Sequence, residues 1–395
     1  MTAVDVAAPR PTRRRDLSIE SLRGLAIVLM VAGHVIGGDG SRGMTVADDS
    51  LWRWSYVFLE DIRMPLFAAL SGFVYAFRPV STSAGYGRMV TGKVRRLLVP
   101  LVTVGTAFFV LQTVVPGTNV SGSASEIWRV YLYGTGHFWF LQAIFLIFLA
   151  VGVLDLLGLL RRRRSWIVAV AASSVLYVAV LLPEAWDVFS VNGAIRLLPF
   201  FLLGYGVHRF VANPPPLGLL VPTAAAFVAV YALRVLDIAG VVDLVGAGER
   251  ASRIAVGLAA TLLLLLMRDR IRVGFLAWLG PFAFAIYLLH VFGSAAARLA
   301  LGRAGIDGEI VVFVVCMLAA LGLPILFEVT LGRIRWVSWA FLGQKPWKPR
   351  PKARPSDGPA EPADEAAPRH PSPEPADSAA PPHPSPDPAR QQERA

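Results

Sequence analysis

The chain has 395 residues, of which 55% are hydrophobic and only 16% charged, and a formal net charge of +11. A soluble domain of this length does not repeat apolar runs of about 20 residues, each long enough to cross ~30 Å of hydrocarbon, so the composition places the chain in a membrane. The basic residues cluster between those runs, as topology signals do, which argues against a nucleic-acid face; a single cysteine, Cys316, excludes an internal disulfide and a cysteine metal site.

In chain order, Arg13 to Arg15 precede an apolar run from Leu22 to Gly37. This basic-then-apolar order is also that of a secretory signal, but Arg23 and His34 interrupt the run, and it reads as a retained first span. Further spans are expected at Tyr56–Phe77, Leu97–Val115, Phe138–Leu160, Trp166–Leu182, Ile195–Val211, Leu217–Val235, Ile254–Met267, Val273–Ala297 and Ile310–Leu331. The fold class is therefore all-α, a polytopic bundle of about ten transmembrane helices. Basic clusters fall at the N-terminus, after even-numbered spans and at the C-terminus, which puts both termini in the cytoplasm of a multi-pass plasma (inner) membrane protein.

Three segments follow: a basic N-terminus at 1–16, a membrane domain at 17–342, and a Pro/Ala-rich cytoplasmic tail at 343–395. The tail has almost no large apolar side chains to offset its ordering entropy and is expected to be disordered. Its His370 and His383 receive no site role. No internal repeat is visible, so a transporter built on inverted repeats gains no support.

The polar residues inside the spans carry the chemistry. Arg23 and His34 are eleven residues apart, three turns plus about 20°, so one helix face carries both, ~16 Å apart along the axis. Both are expected to look into a wet passage. Arg23 reads either as a snorkelling cation or as an anion anchor, and His34 either as interhelical glue or as a base. The second span brings Glu60, Asp61 and Arg63 into the membrane together, which is costly unless they pair or face water. Ser71 and Gly72, in the same span, read first as packing residues. Lys93, Arg95 and Arg96 stand before the third span, where a stop-transfer cluster and a phosphate clamp are both open. His137 is expected at the outer entrance of the fourth span beside Trp139, and His290 at similar depth on the ninth. His208 reads as a solvated loop residue.

The stretches "SIESLRGLAIVLMVAGH", "MPLFAALSGF", "KVRRLLVP", "GHFWFL" and "FAIYLLHVF", in that order, resemble the acyltransferase type 3 family of bacterial integral membrane proteins. The resemblance runs from about Arg15 to Phe341. It implies an acyl-CoA donor, with no permanently bound cofactor, and transfer to a hydroxyl of a sugar, glycolipid or other envelope or secreted acceptor. The family's Arg-x10-His pair falls on Arg23 and His34, its paired basic residues on Lys93 and Arg96, its aromatic-motif histidine on His137 and its late histidine on His290. Arg63 stands where relatives often carry His or an aromatic residue.

On that footing His34 is the expected general base, since deprotonating an attacking alcohol near neutral pH suits an imidazole. Glu60 or Asp61 is expected to orient its ring. Arg23, Lys93, Arg95 and Arg96 are expected on the donor's phosphates, with Arg63, Trp139 and Ser71 placing substrate. His137 and His290 are left unranked among acceptor binding, oxyanion stabilisation and proton shuttling. The rival reading is a transporter or flippase of an envelope precursor, since charges inside spans also mark substrate paths.

Overall fold

The computed structural model describes residues 16–115 and 124–345. The basic segment expected at 1–16 and the tail expected at 343–395 lie, apart from residues 16 and 343–345, outside the described residues.

The described residues form α-helices and no strand. In order these are α1 (Leu17–Ile36), α2 (Leu51–Tyr75), α3 (Ser83–Lys93), α4 (Val99–Val114), α5 (Ile127–Leu132), α6 (Trp139–Leu156), α7 (Arg163–Ala179), α8 (Val191–Phe210), α9 (Leu217–Ile238), α10 (Ala247–Leu266), α11 (Gly274–Leu279), α12 (Ala283–Arg303), α13 (Glu309–Val329) and α14 (Arg335–Leu342). Every expected span meets a helix, so the polytopic all-α bundle is borne out. Among the described residues, seven helices or joined helix runs are long and apolar enough to cross a membrane. The other three expected spans fall short of that measure for visible reasons: α7 has 17 residues, and α2 and α10 carry charged residues that pair across the bundle.

Local sequence sets several of these boundaries. Asp16 caps α1, accepting from the Ser18 backbone N–H at 3.0 Å, and Ser50 caps α2 by accepting from Arg53 N–H at 3.2 Å. α3 and α4 are one continuous run joined by a π-helical turn, Val94–Leu98. Pro100 explains that turn. Its ring lacks an N–H and crowds the carbonyl of Arg96, so the α ladder cannot continue there, and Val99 N–H reaches back five residues to the Val94 carbonyl.

α1 lies at the centre, packed against α2, α11, α12 and α13, while α2 packs on α8 and α10, and α6 on α8. Backbones meet where side chains are missing. A Cβ on Gly72 of α2 would stand 1.9 Å from the Phe201 carbonyl oxygen, and one on Gly204 of α8 would stand 1.9 Å from that of Ala69. The packing reading of Gly72 thus has a geometric basis. Because backbone cannot swing aside as a side chain can, Gly204→Val is expected to destabilise the bundle by roughly 2 kcal/mol. Thermal unfolding of the detergent-solubilised protein checks this, and an unchanged midpoint would show that the two helices can separate freely.

Candidate active site

Three histidines from distant parts of the chain meet inside the bundle. His34 lies in the last turn of α1, His137 in the 3₁₀ turn Gly136–Phe138 that opens α6, and His290 near the middle of α12. Ring centroids are 4.8 Å apart for His34 and His290, 5.0 Å for His137 and His290, and 6.4 Å for His34 and His137, with the planes nearly perpendicular. The depths inferred from helix rise therefore converge on one cluster. His137 is buried within it and does not lie at an entrance.

Backbone carbonyls fix the tautomers. A carbonyl only accepts, so the ring nitrogen facing it must carry the proton in a neutral imidazole, leaving the other nitrogen with a lone pair. His34 Nδ1 donates to the Met30 carbonyl at 2.9 Å. His290 Nδ1 donates to the carbonyls of Tyr287 at 2.9 Å and Ile286 at 3.1 Å. His137 Nε2 donates to the Leu288 carbonyl at 3.3 Å. The free lone pairs are thus His34 Nε2, His290 Nε2 and His137 Nδ1, and His290 Nε2 is fully buried with no partner among the described residues. Tyr287 ties the buried pair together, its hydroxyl donating to the His137 carbonyl while its own carbonyl accepts from His290.

Two chambers flank the cluster. The first, about 350 Å³, is lined by His34 and Gly33 of α1, by Glu60, Asp61 and Arg63 of α2, and by Trp139, Arg196 and Arg253 among others. His34 presents accessible surface to this space although its helix is central. The second, about 830 Å³, is lined by Arg23 of α1, Ser71 of α2, Lys93 and Arg96, and the ring of Tyr287. The single passage expected from the sequence is therefore divided. Arg23 and His34 both face the interior, as the eleven-residue spacing requires, but each opens on its own chamber. Fully buried Ile27 and Leu66 lie between the two sets of lining residues on α1 and α2.

In the larger chamber the Lys93 ammonium lies 3.3 Å from the Phe148 ring centroid and the Arg96 guanidinium 4.4 Å from that of Phe284. Neither has a carboxylate at ion-pair distance among the described residues. Arg23 is paired with Glu20 on its own helix at 2.9 Å. Arg95, one step round the π turn, points elsewhere, and its Nε donates to the Gly343 carbonyl at 3.1 Å. Ser71 lines the chamber while donating to the Phe67 carbonyl at 2.9 Å, so its hydroxyl is engaged within its helix and no histidine is bonded to it.

The carboxylates of α2 do not orient His34. Asp61 accepts from Arg234 Nε at 3.1 Å and lies 3.6 Å from Arg253, and Glu60 lies 3.6 Å from Arg253. The Met30 carbonyl holds the imidazole instead, as an i−4 acceptor one turn below. His208 is another departure: it sits in the last turn of α8 against the rings of Phe77 and Phe73, at 4.1 and 4.9 Å between centroids, and not in a solvated loop. Arg234, Arg253, Arg196 and Tyr287 were not singled out in the sequence. Arg196 and Arg234 had a signal, being arginines within expected spans, and Arg253 stands at the edge of one, where a charge needs a partner or water. Tyr287 had none, because a tyrosine in an apolar helix is ordinary.

Lone-pair imidazoles thus stand between two cation-lined chambers of a helical bundle, an arrangement suited to moving a group and a proton inside a membrane. The chain belongs to the acyltransferase type 3 family, whose model, described as an acyltransferase domain, matches residues 16–329. It is also similar to nodulation protein NolL of Mesorhizobium japonicum, 25% identical over 203 residues, a match covering 50% of this chain and 49% of that protein. The matched part thus spans about half the length of this relative. No solved structure matches the chain.

Proposed function

We propose that this membrane acyltransferase is an O-acyltransferase that moves an acyl group, acetyl in the simplest case, from acyl-CoA to a hydroxyl of a carbohydrate or other envelope or secreted acceptor. The donor binds in the chamber of Lys93 and Arg96 and the acceptor in the chamber of His34. The carrying observation is that the His34 Nε2 lone pair belongs to a side chain open to one chamber, while the ring packs on two buried histidines braced by Tyr287, which lines the other. Basic clusters inside and both termini in the cytoplasm of the inner membrane make the Lys93 chamber the cytoplasmic one, the side that supplies acyl-CoA.

The chemistry follows from the tautomers. His34 Nε2 takes the proton of the acceptor hydroxyl as its oxygen attacks the thioester carbonyl, and the C–S bond breaks as the proton passes to the departing thiolate. The neutral forms of His290 and His137 offer lone pairs and no free N–H to the cluster, so they suit holding or relaying that proton, not stabilising an oxyanion. The donor's phosphates need compensating charge, and Lys93 and Arg96 have no carboxylate at ion-pair distance among the described residues.

Membranes containing the protein, given acetyl-CoA and cell-envelope acceptor, are expected to release free thiol in step with acylated product; a transporter would move an unmodified substrate and leave the thioester intact. Lys93→Gln combined with Arg96→Gln is expected to raise the KM for acyl-CoA by about tenfold or more, as loss of charge-assisted hydrogen bonds implies. The KM for acceptor should stay within a factor of two or so by the same reasoning. An unaltered donor KM would remove the phosphate assignment.

A further inference from the structure

Arg63 is 6% exposed, on the wall of the chamber that holds His34. Its guanidinium lies 4.2 Å from the Tyr56 ring centroid, and a Cβ on Gly33 would stand 1.3 Å from its Nη1, so the cation is seated on the residue that precedes His34. Among the described residues it has no carboxylate within 4.0 Å and no hydrogen bond. A buried cation without a counter-charge costs several kcal/mol, and a cation–π contact returns only about 2 kcal/mol of that.

The chamber's own acids make no direct pair with Arg63. Asp61 and Glu60 are engaged by Arg234 and Arg253, and Arg42 already pairs with Asp39 at 3.3 Å. Arg196, the remaining cation of the wall, neighbours the Tyr177 hydroxyl and has no carboxylate at ion-pair distance among the described residues. Arg63 and Arg196 are thus the two cations of this wall with no carboxylate at ion-pair distance among the described residues, and both stand in the chamber of the base. Arg196 and Trp139 also line an adjoining space of about 540 Å³, shared with Asn192 and Tyr133, which gives room for a larger molecule beyond the chamber of His34.

Resting on the acyl-transfer reading above, we infer that the acceptor is an acidic saccharide, carrying a carboxylate or phosphate close to the hydroxyl that is acylated, and that Arg63 with Arg196 binds this oxyanion. The planar guanidinium fork matches either group. An anion held by Arg63 leaves a neighbouring hydroxyl facing His34, so the charge fixes which hydroxyl is acylated. Arg63 is a specificity-determining residue in this scheme, and the proton transfer stays with His34.

The test incubates membranes from cells that carry the gene with [¹⁴C]acetyl-CoA and passes the labelled product over an anion exchanger at neutral pH. Retained label supports the inference; phosphatase releases it if the anion is a phosphate, and carbodiimide amidation if it is a carboxylate. In parallel, Arg63→Gln is expected to raise the KM for the isolated acceptor at least about tenfold, the size of one lost charge-assisted bond, and Arg63→Lys is expected to recover part of it. An unchanged acetyl-CoA Kd in both variants shows that they fold. Label in the flow-through, or Arg63→Gln lowering kcat with KM unchanged, overturns the inference while leaving acyl transfer standing. Labelling of the wild type no greater than that of His34→Ala overturns both.

Discussion

His34→Ala is expected to lower acyl transfer by about 100- to 10,000-fold, the range typical for removing a general base, while acetyl-CoA still binds. The separation of those two readouts follows from geometry: the imidazole opens on one chamber, and Lys93 and Arg96 line the other. The same substitution leaves the backbone bond partner, Met30, in ordinary helical pairing, so the fold is not at stake. Thiol release measured alongside equilibrium binding of a non-transferable acetyl-CoA analogue separates the cases. Near-normal turnover would remove His34 from proton transfer; lost binding would mean that the substitution had disturbed the donor chamber instead.

Asp61→Ala is expected to be the most destabilising single charge deletion, at about 3 kcal/mol. Asp61 is 9% exposed and meets two arginines from two helices, Arg234 of α9 and Arg253 of α10, so its removal takes from each cation a carboxylate that ties it to α2. The loss stops short of unfolding because Arg234 keeps Asp237, and Arg253 keeps Glu60 at 3.6 Å and Glu249 at 3.0 Å. Thermal unfolding in detergent reads the effect, and Asp61→Ala with Arg234→Met is expected to recover part of it by removing a buried cation that has lost one of its carboxylates. If the double variant is less stable than the single, the attraction between Asp61 and Arg234 is not what holds α2 against α9.

The spans were legible because crossing a bilayer demands long apolar runs, and nothing else in a chain produces ten of them in series. The depth of the histidines was legible for a related reason: helix rise is fixed, so His34 and His290 could be placed by counting residues. What counting could not supply was any relation between helices. The partnership of Asp61 with Arg234 joins positions 173 apart, and the charges of α10, Glu249 and Arg253, weaken it as a span, although Arg253 is the residue that pairs with Glu60 and Asp61 of α2. His137 was placed too shallow because it precedes α6 in a 3₁₀ turn that dips into the bundle, which hydropathy does not reveal. The division of the expected passage into two chambers depends on how Ile27 and Leu66 pack, and apolar residues at such positions read alike whether they line a tunnel or close it.

The histidine cluster as the meeting point of donor and acceptor is tested most directly by an electron cryo-microscopy structure of the full chain in lipid nanodiscs with a thioether analogue of acetyl-CoA. The expected result is nucleotide phosphates on Lys93 and Arg96 with the sulfur beside Tyr287, Ile27 and Leu66 displaced, and the acyl group within hydrogen-bond reach of His34 Nε2. Phosphates bound among Arg63 and Arg196, with the Lys93 chamber empty, would contradict the account.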